Sequence, residues 1–517
     1  MKSGGKNPTK ELYNQLRLLS CDELWNDEVP RFDRGTAEER FARVAVIRAV
    51  GVVFSENGTT RQKSEVRQWL RALLQDPNEK VRRYAMTALP KLGAGAEEEG
   101  ELLSLLKRTT VDREKKFLGE ALDKIGGAAT LEAVQGAGGL PLQTEQRAKA
   151  SVARLESPSV IQMDRALSDF KDLRIHLRGR EGLEELVRDE VREYIKTHGK
   201  FRVERMNPGL VTLSPIAPFT LGDIYALRCF GTVGFVIGTV NATEEAESVE
   251  ALAAAITSSL SRRVLKTFTE GSIRYRLDFV AKGHQRSAVR LVANRAYELC
   301  PEILNDSRNA PWAIDIHPGH EGDSVELRPR LSPDPRLYFR RGDVPAASHP
   351  PLAACMARLA GKMENEVVWD PFCGSGLELV ERALRGGVHS VYGTDRREEA
   401  VAISRENFES ADIARVQSHF VCSDFRDFES IEGLGANSAT LIITNPPMGK
   451  RVPIRDIHAL IEQLFDVAAK VLKPGGRLVF ANPVREDLSY PPMKLKFRQL
   501  VDFGGFNCHL EMYVKSS

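Results

Sequence analysis

The feature that most limits how this chain can fold is a series of apolar runs in its last third. Each run stops at a carboxylate or at an Asn-Pro-Pro turn. EVVWDPFCGSGLELVERAL (366–384) reads as a strand ending at Asp370, a glycine turn and a helix. SVYGTDRREEAVAISRENF gives a second strand, ending at Asp395, and HFVCSDFRDF a third, closing near Asp424. ATLIITNPPMGKRV is a fourth strand that runs into Asn445-Pro446-Pro447-Met448, and LFDVAAKVLKPGGRLVFANPV is a helix, a Lys-Pro-Gly-Gly turn and a fifth strand. Strands alternating with helices of this length predict a doubly wound α/β sheet, in which ligands bind beyond the carboxyl ends of the strands.

The residues at those strand ends suggest a chemistry. Gly374 and Gly376 let the backbone pass close to a ligand in conformations other residues resist. No Gly-Lys-Ser/Thr follows, which excludes a phosphate-binding P-loop, and the G-x-G-x-x-G spacing of a dinucleotide fold is absent. A carboxylate at 395 suits the two hydroxyls of a ribose, and one at 424 suits the amino group of an adenine. Asn-Pro-Pro suits an exocyclic amine, whose lone pair is delocalised into its ring. A side-chain carbonyl and a backbone carbonyl can hold the two N–H bonds, and prolines keep the latter aimed because they fix φ and donate nothing. The rest of such catalysis is alignment and electrostatic support, with no metal and no activated nucleophile.

Taken together, these motifs resemble S-adenosylmethionine-dependent class I methyltransferases. They are most similar to the THUMP-containing guanine-N2 methyltransferases of RNA, through YFRRGDVPAASHPPLAACMARLA (338–360), DPFCGSGLELVE and NPPMGKR. The resemblance implies that Asp370, Cys373, Gly374 and Gly376 line the methionine part of S-adenosylmethionine, with Asp395 on its ribose and Asp424 on its adenine. His349 and Pro350 would cap the pocket, and Asn445 with the Pro446 carbonyl would receive the amine. Two residues depart from the family pattern: Leu377 stands where it has threonine, and Met448 where it has an aromatic for the target base. Lys450 and Arg451 would hold a target phosphate or are plain surface cations.

Upstream, Trp69–Gly93 can be laid over Leu102–Gly126 without a gap, both copies apolar at helical spacing, broken in the middle and stopped at glycine. An earlier helix, RFARVAVIRAVG, is expected to stop likewise at Gly51. DPNEKVRRYAMTAL resembles HEAT-type repeats, so a short solenoid with a protein or RNA partner, or a helical spacer, is expected at 39–160, after an extension at 1–38. A helix near Ile161–Lys171 and a mixed segment at 172–330 follow, the latter with a leading GLEELVRDEVREYIK helix and a late strand in NDSRNAPWAIDIHPG. That segment resembles the THUMP region, which implies docking on structured RNA. Arg262, Arg263, Lys266, Arg274 and Arg276, with Arg286, Arg290 and Arg295, would supply phosphate contacts or form a solvated face.

The expected fold is therefore multidomain: α-helical HEAT-like repeats, an α+β THUMP-like domain, and an α/β Rossmann-like class I methyltransferase domain at 335–517. The expected function is methyl transfer to guanine N2 of tRNA. Ribosomal RNA guanine, DNA adenine N6 and a non-catalytic RNA-binding protein are the alternatives. Seven scattered cysteines without a CxxC suggest neither a disulfide framework nor a structural zinc. No apolar run approaches the ~20 residues of a membrane span, and MKSGGKNPTKELYNQ lacks a signal-peptide core, which favours the cytoplasm. A net charge of +2 confines any nucleic-acid surface to a local patch.

Overall fold

The computed structural model describes residues 8–137, 142–283, 285–345, 347–448, 456–484 and 490–516. The chain divides into two compact units: Met1–Val160, Val240–Thr257 and Thr269–Ala313 form the first, and Ile161–Thr239, Ser258–Phe268 and Ile314–Ser517 the second.

The first unit is largely helical. Helices Thr60–Leu73, Glu79–Ala88, Ala96–Arg108 and Asp112–Ile125 follow the two aligned copies, with breaks where the sequence places them. Asn78 caps the second of these, its side chain accepting from the Lys80 amide at 2.9 Å. Their apolar stripes meet in one core that includes Val46, Val50, Leu70, Val81, Leu89, Leu118 and Leu122. The expected stop at Gly51 is not observed, because helix Ala45–Asn57 runs straight through it. Gly51 is there to let a neighbouring helix approach: a Cβ at this position would lie 2.7 Å from that of Ala88. Elsewhere in this unit, Ile273–Phe279, helix Arg286–Leu299 and Ile303–Asn305 form a β-α-β element with parallel strands.

In the second unit, Arg174–Arg178 lies antiparallel between Leu210–Pro215 and Thr232–Val240, and Phe201–Asn207 extends this sheet beyond Leu210–Pro215. Helix Glu184–His198 matches the GLEELVRDEVREYIK reading, whereas the helix expected near 161–171 is absent. There the Gln162 and Leu167 amides donate to the carbonyls of Phe268 and Phe219, at 2.9 and 2.8 Å. Tertiary partners thus take the backbone donors that a helix would have used.

The C-terminal part of this unit is a seven-stranded sheet. Its strands are β1 (Glu366–Asp370), β2 (Val388–Asp395), β3 (Gln417–Cys422), β4 (Ala439–Thr444), β5 (Leu472–Asn482), β6 (Met493–Asp502) and β7 (Asn507–Lys515). They lie in the order β3-β2-β1-β4-β5-β7-β6, parallel through β5 and antiparallel over the final hairpin. Helices α1 (Pro350–Leu359), α2 (Leu377–Leu384), α3 (Glu398–Ser410) and α4 (Ile457–Val471) accompany it. Trp369, Ile442, Phe465 and Phe480 fill its core. The expected Lys473-Pro474-Gly475-Gly476 turn is a bulge, since Leu472 faces Ala439 while Arg477 already faces Leu441.

Candidate active site

Strand order brings together what the sequence spreads over 75 positions. Asp395 and Asp370 end β2 and β1, and Asp424 and Asn445 follow β3 and β4, four consecutive neighbours in the sheet, so the four residues lie along its carboxyl edge. The chain reverses its winding direction between β1 and β4, the place where open α/β sheets hold ligands. A cavity of about 1070 Å³ opens there and is lined by Asp424, Asp395 and Asn445, as well as His349, Pro350, Cys373, Gly374, Pro446, Pro447 and Met448; Asp370 is buried beneath, next to the lining residue Pro371. Gly376 lies just behind, at the start of α2. Gly449, Lys450 and Arg451 fall outside the described residues.

Asp370 is fully buried. One of its oxygens accepts from the Thr444 hydroxyl at 2.5 Å and the Phe372 amide at 3.0 Å, while Oδ2 has no partner among the described residues. Burial, then the nearby Glu378 carboxyl, pushes its pKa well above the carboxylate range. Gly374 has φ +53° and Gly376 +76°, and a Cβ on Gly376 would press within 3.2 Å of Ser404. The Gly374 amide donates to Asp395 Oδ2 at 3.2 Å, tying the glycine turn to β2. Cys373 is buried, and burial with Asp370 nearby raises its thiol well above the ordinary value, so it stays protonated and is no nucleophile.

Asp424 is held by Arg426, whose Nε and amide donate to Oδ1 at 2.7 and 3.1 Å; this contact and a nearby Arg396 lower its pKa. His349 keeps solvent-facing surface, but packing around it and then Arg180, Arg336 and Arg340 lower its pKa to about 4, so it is neutral near pH 7. Asn445 Nδ2 donates to the Ser348 hydroxyl at 2.8 Å, while its Oδ1 is buried without a partner among the described residues. Pro446 is buried, and Met448 lies against Cys508, their sulfurs 3.5 Å apart.

The sequence reading missed several groups. Asn407, on α3, accepts from the Arg341 and Gly342 amides at 2.7 and 3.1 Å and donates to the Gly342 and Ser375 carbonyls at 3.0 and 2.9 Å. It thereby fastens the Arg-Arg-Gly segment to the glycine turn. Phe503 and Phe506, from the β6–β7 hairpin, line the cavity 5.9 Å apart. Glu378 and Ser348 line it too. No period or turn signal marks Asn407, Glu378 or Ser348; the Gly504-Gly505 pair is a turn signal between Phe503 and Phe506.

Among the arginines read as phosphate contacts, Arg274 is corrected. It is 2% exposed and paired inward with Asp306 at 3.4 Å, out of reach of any phosphate. Arg263, Arg276 and Arg295 pair with Asp169, Asp278 and Glu250. Arg262, Arg286 and Arg290 are exposed.

Residues 338–500 match the UPF0020 family, described as an RMKL-like methyltransferase domain. The chain is 30% identical over 187 residues to a tRNA (guanine(10)-N2)-dimethyltransferase of Methanothermobacter thermautotrophicus, covering 34% of this chain and 53% of that one. It is 31% identical over 168 residues to the protein of the same name in Methanocaldococcus jannaschii, covering 31% and 42%. The chain thus spans about half the length of the curated relatives it matches. In fold, it is similar to TrmN from Thermus thermophilus, with a TM-score of 0.50 at 19% identity, covering 66% of this chain and 99% of that one.

Proposed function

We propose that this chain is an S-adenosylmethionine-dependent methyltransferase acting on an exocyclic amine of RNA, guanine N2 of tRNA foremost. The observation that carries the reading is Asn445 Oδ1, a buried acceptor on the cavity wall with no partner among the described residues. A buried acceptor left open costs roughly 1–3 kcal/mol, an expense a fold retains where a ligand supplies the donor. An amine N–H is such a donor, and the rigid Pro446 carbonyl follows at once in the chain.

The cavity also fits the cofactor. Gly374 presents backbone without a side chain on the cavity wall, and Asp370, buried behind it, has Oδ2 without a partner among the described residues. Asp395 is the ribose partner in this reading; Asp424 keeps lone pairs for an adenine amino group beyond those taken by Arg426. The cofactor supplies an electrophilic methyl group. The protein's part is to hold the amine pyramidal and aligned and to exclude water. Met448 gives the target base an apolar but not a flat surface; Phe503 and Phe506 offer aromatic faces in the same cavity.

The names of the archaeal relatives support tRNA guanine N2 as the substrate. A groove of about 650 Å³ in the first unit carries Arg286, Arg290 and Arg308 as well as Arg147 and Arg154, which pair with its Asp123 and Asp306; the former three support an RNA track. In this proposal the segment 172–330 is a THUMP-like RNA-docking domain. Residues 39–160 are HEAT-like repeats that extend the RNA surface or recruit a protein, residues 335–517 carry the chemistry, and the protein works in the cytoplasm. No described helix is long and apolar enough to cross a membrane.

Equilibrium titration with S-adenosylhomocysteine tests the site: saturable binding lost on Asp395→Ala is expected, and no binding by folded protein sinks the proposal. Nucleoside mass spectrometry on tRNA and rRNA from cells with and without the protein then identifies the product. Missing N2-methylguanosine in tRNA is the expected outcome; a missing methyladenosine would redirect the assignment.

A further inference from the structure

An asparagine side chain can turn over, exchanging its oxygen for its NH2 group at little steric cost. The amine-accepting role of Asn445 needs the oxygen toward the cavity, so something must decide between the two orientations. The contacts behind Asn445 do so. Its Nδ2 donates to Ser348 Oγ at 2.8 Å, and the Ser348 hydroxyl in turn donates to Glu378 Oε1. Glu378 is 3% exposed, on the first turn of α2.

We infer that Glu378 and Ser348 are positioning residues for amine methylation, forming a directed hydrogen-bond relay that keeps Asn445 Oδ1 turned to the substrate. The inference rests on the amine-methylation reading above. Its logic is one of donor counting. Burial raises the Glu378 pKa, but whether the group is ionised or neutral with its proton on Oε2, Oε1 has no hydrogen to give, so the serine spends its only hydrogen there. Ser348 Oγ is then left with lone pairs alone and can receive only a donor, which in Asn445 is Nδ2. The oxygen must therefore point the other way, into the cavity. Without the carboxylate, the serine hydrogen is free to seek the asparagine oxygen, and the amide turns its NH2 group toward an amine that also carries only hydrogens. Neither residue touches the reacting atoms in this scheme. Both act through Asn445, which lies 67 positions from Glu378 and 97 from Ser348 in the chain.

The test measures four single variants and one double variant in the full-length protein, on an RNA substrate that wild type methylates. Ser348→Ala and Glu378→Leu break the relay. Ser348→Thr keeps the hydroxyl, and Glu378→Gln keeps an acceptor oxygen in the same shape. Both breaking variants are expected to lose kcat on the order of tenfold to a hundredfold, the scale of a misaligned reacting group. KM for RNA and the Kd for S-adenosylhomocysteine should stay within about twofold, since nothing that holds either ligand is removed. The two conservative variants should recover most of kcat. The Ser348→Ala/Glu378→Leu double variant should fall no further than the worse single, because one broken link already frees the amide.

Wild-type kcat in Ser348→Ala overturns the relay, as do additive losses in the double variant. Loss of S-adenosylhomocysteine binding in parallel with kcat also overturns it, because Glu378 would then be a cofactor ligand. If Glu378→Leu does not fold, Ser348→Ala against Ser348→Thr decides alone. Should wild type itself transfer no methyl group to any RNA, the amine-methylation reading fails instead, and the two failures are distinct.

Discussion

The two ends of β1 carry two buried carboxylates with opposite fates. At its start, Glu366 is fully buried between two guanidinium groups, those of Arg382 and Arg477. At its end, Asp370 is equally buried but keeps an oxygen open, and Asn445 at the end of the adjacent β4 does the same. The amino edge of the sheet is thus closed by ion pairs, while the carboxyl edge is left short of donors. What separates the two buried acids here is not burial but whether the described residues complete the bonding.

Breaking this contrast at the closed end should produce the largest effect. Glu366→Ala leaves two buried guanidinium groups without a counter-charge, and a loss of about 3–5 kcal/mol in urea unfolding is expected. S-adenosylhomocysteine affinity of the folded fraction should be unchanged. At the open end the pattern reverses. Asn445→Ala should lower kcat by roughly a hundredfold to a thousandfold, equal to about 3–4 kcal/mol, with the urea midpoint unchanged or raised. A variant that lost stability instead would place Asn445 among the structural residues.

Acid titration sharpens the comparison. Glu326, in the sheet of Arg174–Arg178, is a closed case: burial works against its charge, but Arg178 and His176 outweigh it and hold its pKa at about 2. The folded value lies below the unfolded one of 4.5. Its stabilisation is therefore whole above pH 4.5 and drains away as the pH falls toward 2, about 3 kcal/mol in all. Glu326→Gln should flatten that part of the stability curve. Asp370 responds in the other sense: burial raises its folded pKa, so acid costs no stability there. The smallest effect is expected at the aromatic lining. Phe506→Leu should raise KM for RNA by about 1 kcal/mol, or roughly fivefold, with little change in kcat; an unaltered KM would remove Phe506 from the base surface.

The β-strands of the site were legible because their apolar runs end abruptly at Asp, Gly or Pro, and those residues mark chain reversal wherever they occur. The fourfold repetition of that pattern was enough to predict the α/β sheet and the residues at its edge. The helix expected at 161–171 and the stop expected at Gly51 failed for one shared reason. Local periodicity says nothing about a carbonyl from Phe219 or a methyl from Ala88 arriving from elsewhere. The departures at Leu377 and Met448 were visible in the sequence as gaps in a pattern. The aromatic faces of Phe503 and Phe506 in the same cavity were not.

The sequence by itself determined the strand-end residues, because the chemistry of Asp370, Asp395 and Asn445 depends on residue type and on the end of a strand. Only the tertiary structure decided which of their atoms remain open. That depends on partners such as Thr444, 74 positions from Asp370, and Ser348, 97 from Asn445. Hydrogen bonds between such distant segments arise from packing and strand order, for which the linear chain carries no period. The identity of the acceptors was therefore written locally, and their availability to a ligand was set by the fold.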